Sequence, residues 1–158
     1  KATPITDPRG RTRGVVAKGM EDSPIVRGCE DIWGPSDVYA ITTLTGDSKP
    51  VILGQVLAGM KPDDKPNPAK KPIPVAWTKT WTGTEGKAAR VLTTTMGHSG
   101  DLLSEGFRRL LVNACYWGVG LEDKIPAKSK VDIVGEYQPT RFKFDGYVRG
   151  KTPADYAK

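Results

Sequence analysis

The chain is poor in the residues from which most reactive sites are built. It has one histidine, His98, and two cysteines, Cys29 and Cys115, in 158 residues. No CxxC spacing is present, so a structural zinc site is not expected, and no metal ligand set is assigned. Two cysteines are too few for the disulfide framework of a small secreted scaffold. Cys115 stands in an apolar helical run and is expected to be a small core residue. Long hydrophobic runs are missing too. Nothing approaches the roughly 20 apolar residues that cross a bilayer, so no membrane partner is expected. Lys1-Ala2-Thr3-Pro4 shows no charged segment followed by an apolar stretch, the mark of a secretory signal. Without an initiator Met, the start reads as that of a processed or truncated chain.

Charge is plentiful and unbalanced. Lys and Arg number 24 against 18 Asp and Glu, for a net charge of +6. The basic residues are scattered: Arg9, Arg11 and Arg13, then Lys61 to Lys71, Arg108-Arg109 and Lys124 to Lys130. No basic run is interleaved with aromatics as a single-strand groove requires, so nucleic acid is not expected as a partner. The 18 Gly and 13 Pro imply many turns.

Periodicity marks the elements. Val15-Val16 reads as a strand end, and Pro24 to Gly28 as a turn entering the body of the domain. Asp31 to Asp37 reads as a turn cluster, followed by a strand at Val38 to Ile41. Val51 to Leu57 is a near-continuous apolar run, suited to a strand buried on both faces. Gly59 through Pro74 reads as loop, its prolines opposing regular pairing. Val75 to Trp81 alternates, with Trp77, Lys79 and Trp81 on one face. A hairpin turn at Gly83 to Lys87 leads to a strand at Arg90 to Met96. Gly97-His98-Ser99-Gly100-Asp101 then joins strand to helix, with Ser99 as cap and Asp101 at the positive helix end. Leu103, Phe107, Leu110, Leu111, Ala114 and Trp117 form the helix's apolar face, with Arg108, Arg109 and Asn113 on the other side. Gly118 and Gly120 stop it. Ile125 to Lys158 reads as an extended tail, with an edge strand at Val131 to Val134. Strand, Gly-rich turn and helix are the grammar of an α/β domain.

Several segments carry a resemblance. They are Thr12-Arg13-Gly14, Trp33-Gly34-Pro35-Ser36-Asp37-Val38-Tyr39, Pro74-Val75-Ala76-Trp77, Gly86-Lys87 with Arg90-Val91, and Thr95-Met96-Gly97-His98. Gly106-Phe107-Arg108-Arg109-Leu110-Leu111 and Tyr116-Trp117-Gly118-Val119-Gly120-Leu121-Glu122 complete the set. In this order and spacing the chain resembles the closing part of ThuA-like (trehalose utilisation) domains, over about residues 12–138. The resemblance implies an α/β fold: a flavodoxin-like three-layer sandwich of the class I glutamine amidotransferase-like type. Only its C-terminal portion would be present, with residues 1–122 in the domain and 123–158 as a tail packed on it. It also implies bacterial carbohydrate catabolism, with trehalose and similar disaccharides handled through 3-keto intermediates, and a periplasmic or secreted setting. Two departures stand out. Ser23-Pro24-Ile25 replaces the family's frequent His-Pro-Ile, and the strands and His-bearing segment that usually precede Thr-Arg-Gly are not in this chain. No strand-elbow nucleophile is visible, so amidotransferase chemistry does not follow from the fold.

His98 is the catalytic candidate. It sits where a strand's carboxyl end meets a helix start, and an imidazole there can act as general acid or base; the alternative is a ring that only bonds its own turn. Ser99 and Asp101 are candidates for binding sugar hydroxyls, or plain helix caps. Asp37 and Tyr39 can line a sugar pocket by hydrogen bonding and stacking, or simply form a turn. Arg13 can bind an anionic group or pair with an acid. The partner expected is a small-molecule carbohydrate, with no cofactor. A non-catalytic sugar-binding or interaction module is the competing reading.

Overall fold

A computed structural model describes residues 12–39, 43–59, 61, 63–140 and 146–157. Five strands form one sheet: β1 Thr12–Val16, β2 Ile32–Gly34, β3 Lys49–Val56, β4 Ile73–Thr82 and β5 Ala88–Thr94. Their spatial order is β2-β1-β3-β4-β5, and every neighbouring pair is antiparallel. One α-helix, α1, spans Glu105–Gly118. Short 3-10 turns lie at Pro24–Val26, Ser99–Leu103, Glu122–Lys124 and Pro153–Tyr156.

This corrects the expected flavodoxin-like three-layer sandwich. The fold is a curled antiparallel sheet with one α-helix among the described residues. The physical reason lies in the connections. Parallel neighbours need a crossover of about a dozen residues or more, usually through a helix. Here β4 returns as β5 through a tight hairpin, closed by Gly83 N–H to Lys87 O at 3.2 Å. The β3–β4 link is a Pro- and Lys-rich loop, pinned by Ala58 N–H to Lys65 O and Asn67 N–H to Val56 O, both 2.8 Å. The strand–turn–helix signal at 94–105 is real, but such a join serves an antiparallel sheet equally well.

Glycine shapes the sheet's centre. Gly14 and Gly54 face each other across β1 and β3. A Cβ on Gly14 would stand 2.6 Å from Ile32 Cγ2, and one on Gly54 2.5 Å from Val75 Cγ1. The missing side chains let Ile32 and Val75 close over the backbone, and register shifts around Ile52 bend β3 further. Phe107, Leu110 and Ala114 of α1 then pack on Ile32, Ile52, Ala76 and Met96, with Ile25 and Val26 closing the side. Each fully buried Val, Leu, Ile, Phe or Met side chain contributes about 1.5–3 kcal/mol.

Other expectations need adjusting. Trp33 lies in strand β2 rather than in a turn, and Pro74 lies inside β4 opposite Leu53, at an irregular point of the register. Of the strand expected at Val38 to Ile41, Val38 and Tyr39 are not in a strand, and Ala40 and Ile41 fall outside the described residues. Val131 to Val134 forms no strand. Cys115 is exposed, whereas Arg109 and Asn113 are buried. Two groups on the supposed polar side of α1 thus face segments that local sequence does not reveal. Asn113 Nδ2 donates to Ile25 O and Arg27 O at 3.1 and 2.9 Å, and its Oδ1 accepts from Ser129 Oγ at 3.0 Å.

Candidate functional site

Three of the resembling segments, those of Thr12, Gly34 to Ser36 and Gly97-His98, come together near the exit of β5. Thr94 Oγ1 donates to Val75 O at 2.8 Å and accepts Met96 N–H at 3.0 Å, which ends the strand and starts the turn. The chain then folds back on Asp101, whose carboxylate is wholly buried. Asp101 Oδ2 accepts Gly97 N–H at 2.8 Å, His98 N–H at 3.0 Å and the Ser36 hydroxyl. Its Oδ1 accepts Ser36 N–H at 3.1 Å. Four donors therefore converge on one carboxylate, and bonds of this charge-assisted kind are the strong ones. The β2 exit brings Ser36 there, and Thr12 of β1 holds it by donating its hydroxyl to Ser36 O. Gly34 leaves the room, since a Cβ at that position would lie 2.2 Å from Asp101 Oδ1.

His98 caps the 3-10 turn. It is half-buried, and its Nδ1 accepts Gly100 N–H at 2.9 Å. A neutral imidazole that accepts at Nδ1 carries its proton on Nε2. In this arrangement Nε2 is a hydrogen-bond donor, and use of that nitrogen as a general base requires the ring to release Gly100. Ser99 Oγ donates to Thr140 O at 2.7 Å, and Ser99 O accepts the Tyr137 hydroxyl at 2.8 Å, so the tail crosses the turn beside His98.

The other candidates sit apart. Asp37 and Tyr39 follow Ser36 and are exposed, Tyr39 by 56%. Arg13 does not join Asp101. Thr12 and Arg13 point to opposite faces of β1, as successive strand residues must, and the Arg13 guanidinium reaches Asp64 O at 3.5 Å. The residues that complete the centre, Thr12, Gly34 and Ser36, were not singled out as site residues in the sequence. Their signal was slight: a Gly-Pro-Ser turn ahead of the more conspicuous Asp37. Ser104, the buried cap of α1, was missed for a related reason. Its hydroxyl accepts Phe107 N–H at 3.2 Å, but Ser99 competes for the same role in the sequence.

A concavity of about 260 Å³ opens beside the start of α1, lined by Glu30, Asp31, Trp33, Glu105, Arg109 and Lys128 among others. Four of its charges are engaged in two pairs. Arg109 bonds Glu105, and Lys128 Nζ stands 3.5 Å from Glu30. The hydrogen bond from Arg109 holds the Glu105 carboxyl below its ordinary value. Another lies at the β4–β5 tip around Trp81. Among the described residues no group of three or more His, Cys, Asp and Glu is placed to hold a metal ion. No protein-family model, curated protein or solved structure matches the chain.

Proposed function

We propose that this chain is a ThuA-like protein of bacterial carbohydrate catabolism, related to the closing part of trehalose-utilisation domains, and that it acts by binding its sugar rather than by moving protons through His98. One observation carries the reading. Thr12, through Ser36 O, the Gly34-Pro35-Ser36 turn and Gly97-His98, which belong to three of the resembling segments, meet at the buried carboxylate of Asp101. Motif residues far apart in sequence thus maintain one rigid junction, and Asp37 and Tyr39 leave it on the exposed side. The binding mode is preferred over general-base chemistry because His98 Nδ1 already accepts Gly100 N–H, which leaves the proton on Nε2.

The test is calorimetric titration with trehalose and its 3-keto derivative, paired with a turnover assay on the keto-sugar. Binding without turnover, unaffected in kind by His98→Ala, is the expected result. Turnover that His98→Ala abolishes while binding persists would establish the acid/base reading instead. Absence of binding to either sugar removes the carbohydrate assignment.

A further inference from the structure

Trp81 lies near the end of β4, 60% exposed, in a shallow cleft of about 320 Å³ lined also by Gly83, Thr84, Glu85, Lys87, Ala88 and Ala89. Exposed apolar side chains are common on this chain, and Trp81 stands out by its setting rather than its exposure. The hairpin is built to present it. Its cross-strand partner is Ala89, too small to lie over an indole. On the turn side, a Cβ at Gly83 would come within 2.9 Å of Trp81 Cζ3 and 3.0 Å of Cη2, so only glycine lets the ring rest against the turn backbone. Gly86, at φ +76°, supplies the left-handed residue that closes the turn. The rim carries one carboxylate and one ammonium, Glu85 and Lys87, 3.7 Å apart and both exposed, together with the Thr84 hydroxyl.

We infer that Trp81 is a stacking platform for a pyranose ring, a sugar subsite at the β4–β5 tip separate from the Asp101 junction. This inference rests on the carbohydrate reading above. The chemistry fits that occupant. A pyranose has an apolar C–H face for the indole and a girdle of hydroxyls that both donate and accept. Glu85 accepts, Lys87 donates and Thr84 does both. Their charges cancel, which suits a neutral ligand better than an anionic surface. Indole gives large contact area with little rotamer entropy to lose. The volume stands at the low end of the roughly 300–1,000 Å³ of small-molecule pockets, and the cleft is shallow, so it suits one ring bound weakly.

Proton–nitrogen NMR of the four indole N–H groups tests this, with trehalose and methyl α-glucoside as probes and Trp81→Ala to assign the Trp81 signal. The expected result is a saturable shift of the Trp81 signal with millimolar sugar. Trp81→Ala should weaken binding at least tenfold, with Trp81→Phe in between. Saturable shifts elsewhere, with the Trp81 signal still, would overturn the subsite and leave the carbohydrate reading intact. No shift of the Trp81 signal with either sugar would likewise overturn the subsite, and the carbohydrate reading then stands or falls on the calorimetric titration. A concentration-dependent self-association that Trp81→Ala abolishes would replace the sugar by a second copy of the chain and overturn the inference.

Discussion

Ser36 donates its backbone N–H to Asp101 Oδ1 at 3.1 Å across 65 positions of sequence. With the Ser36 hydroxyl and the Gly97 and His98 amides on Oδ2, this bond ties the β2 exit to the start of the helical segment. Asp101→Asn tests how much of the fold depends on it. The amide offers a single acceptor oxygen and turns its NH₂ toward buried donors, which loses charge-assisted bonds and leaves donors unsatisfied. We expect a loss of about 3 kcal/mol, read from the urea midpoint at unchanged m-value. A loss under about 1 kcal/mol would mean that the four donors are satisfied without the carboxylate.

Two glycines of α1 make opposite predictions. A Cβ at Gly106 would lie 2.0 Å from Glu30 O, a backbone atom that cannot swing aside. Gly106→Ala should therefore part α1 from the segment before β2 and destabilise by about 2 kcal/mol or more. Gly118, the last residue of α1, has nothing within 4 Å of its Cβ position. Gly118→Ala should raise stability by about 0.5 kcal/mol through helix propensity alone. Thermal melts of the pair check both signs. Equal behaviour would refute the packing account of Gly106.

These positions show what a sequence can carry. The apolar period of α1 was legible, since Phe107, Leu110 and Ala114 are set by spacing and all are buried. So were β3, β4 and β5, within a few residues at each end. Topology was not. The apolar run at Val51 to Leu57 is consistent with a parallel or an antiparallel strand when both faces are covered. Nothing in Gly97 to Asp101 says whether another strand follows the helix. The Asp101 centre was half visible. Asp101 and His98 stand out locally, whereas Ser36 and Thr12 matter only because the sheet brings them there. Arg109 and Asn113 fall on the wrong side of a helical wheel, because their partners, Gly28, Ile25 and Ser129, come from irregular segments that have no period to read.

The two cysteines should differ in reactivity. Burial pushes the Cys29 thiol up to about 12, opposed in part by the nearby Arg109 charge. Its thiolate is therefore scarce at pH 8, whereas Cys115 is exposed. A thiol-reactive disulfide reagent should titrate one group per chain rapidly in the native state and two after denaturation. The linkage has a definite sign. A thiol value raised on folding gives stability that is full below the unfolded value of 9.0 and is lost as pH rises toward about 12. Cys29→Ala should lack that part of the alkaline decline. Two equally fast native thiols would contradict the burial.

Arg109 provides the last test, because one buried guanidinium holds two segments to α1 and bonds Glu105 within the helix. Its Nε donates to Ser129 O at 2.9 Å, its Nη1 to Gly28 O at 3.2 Å and its Nη2 to Glu105. Arg109→Lys keeps the charge, but a single ammonium cannot span all three acceptors as the planar fork does. We expect a loss of about 2–4 kcal/mol from the carbonyl bonds forfeited. Limited proteolysis should also cut faster within residues 125–131, which Arg108 Nε anchors only through Val131 O. The pH profile gives an independent readout. The Arg109 hydrogen bond holds the Glu105 carboxyl below its ordinary 4.5. Its contribution is thus present above that value and lost as pH falls through the lower folded value. In Arg109→Lys this acid-limb loss should shrink. An unchanged acid limb together with an unchanged cleavage rate would show that the segment is held by Asn113 and Arg27 instead, through Ser129 Oγ and Ile125 O.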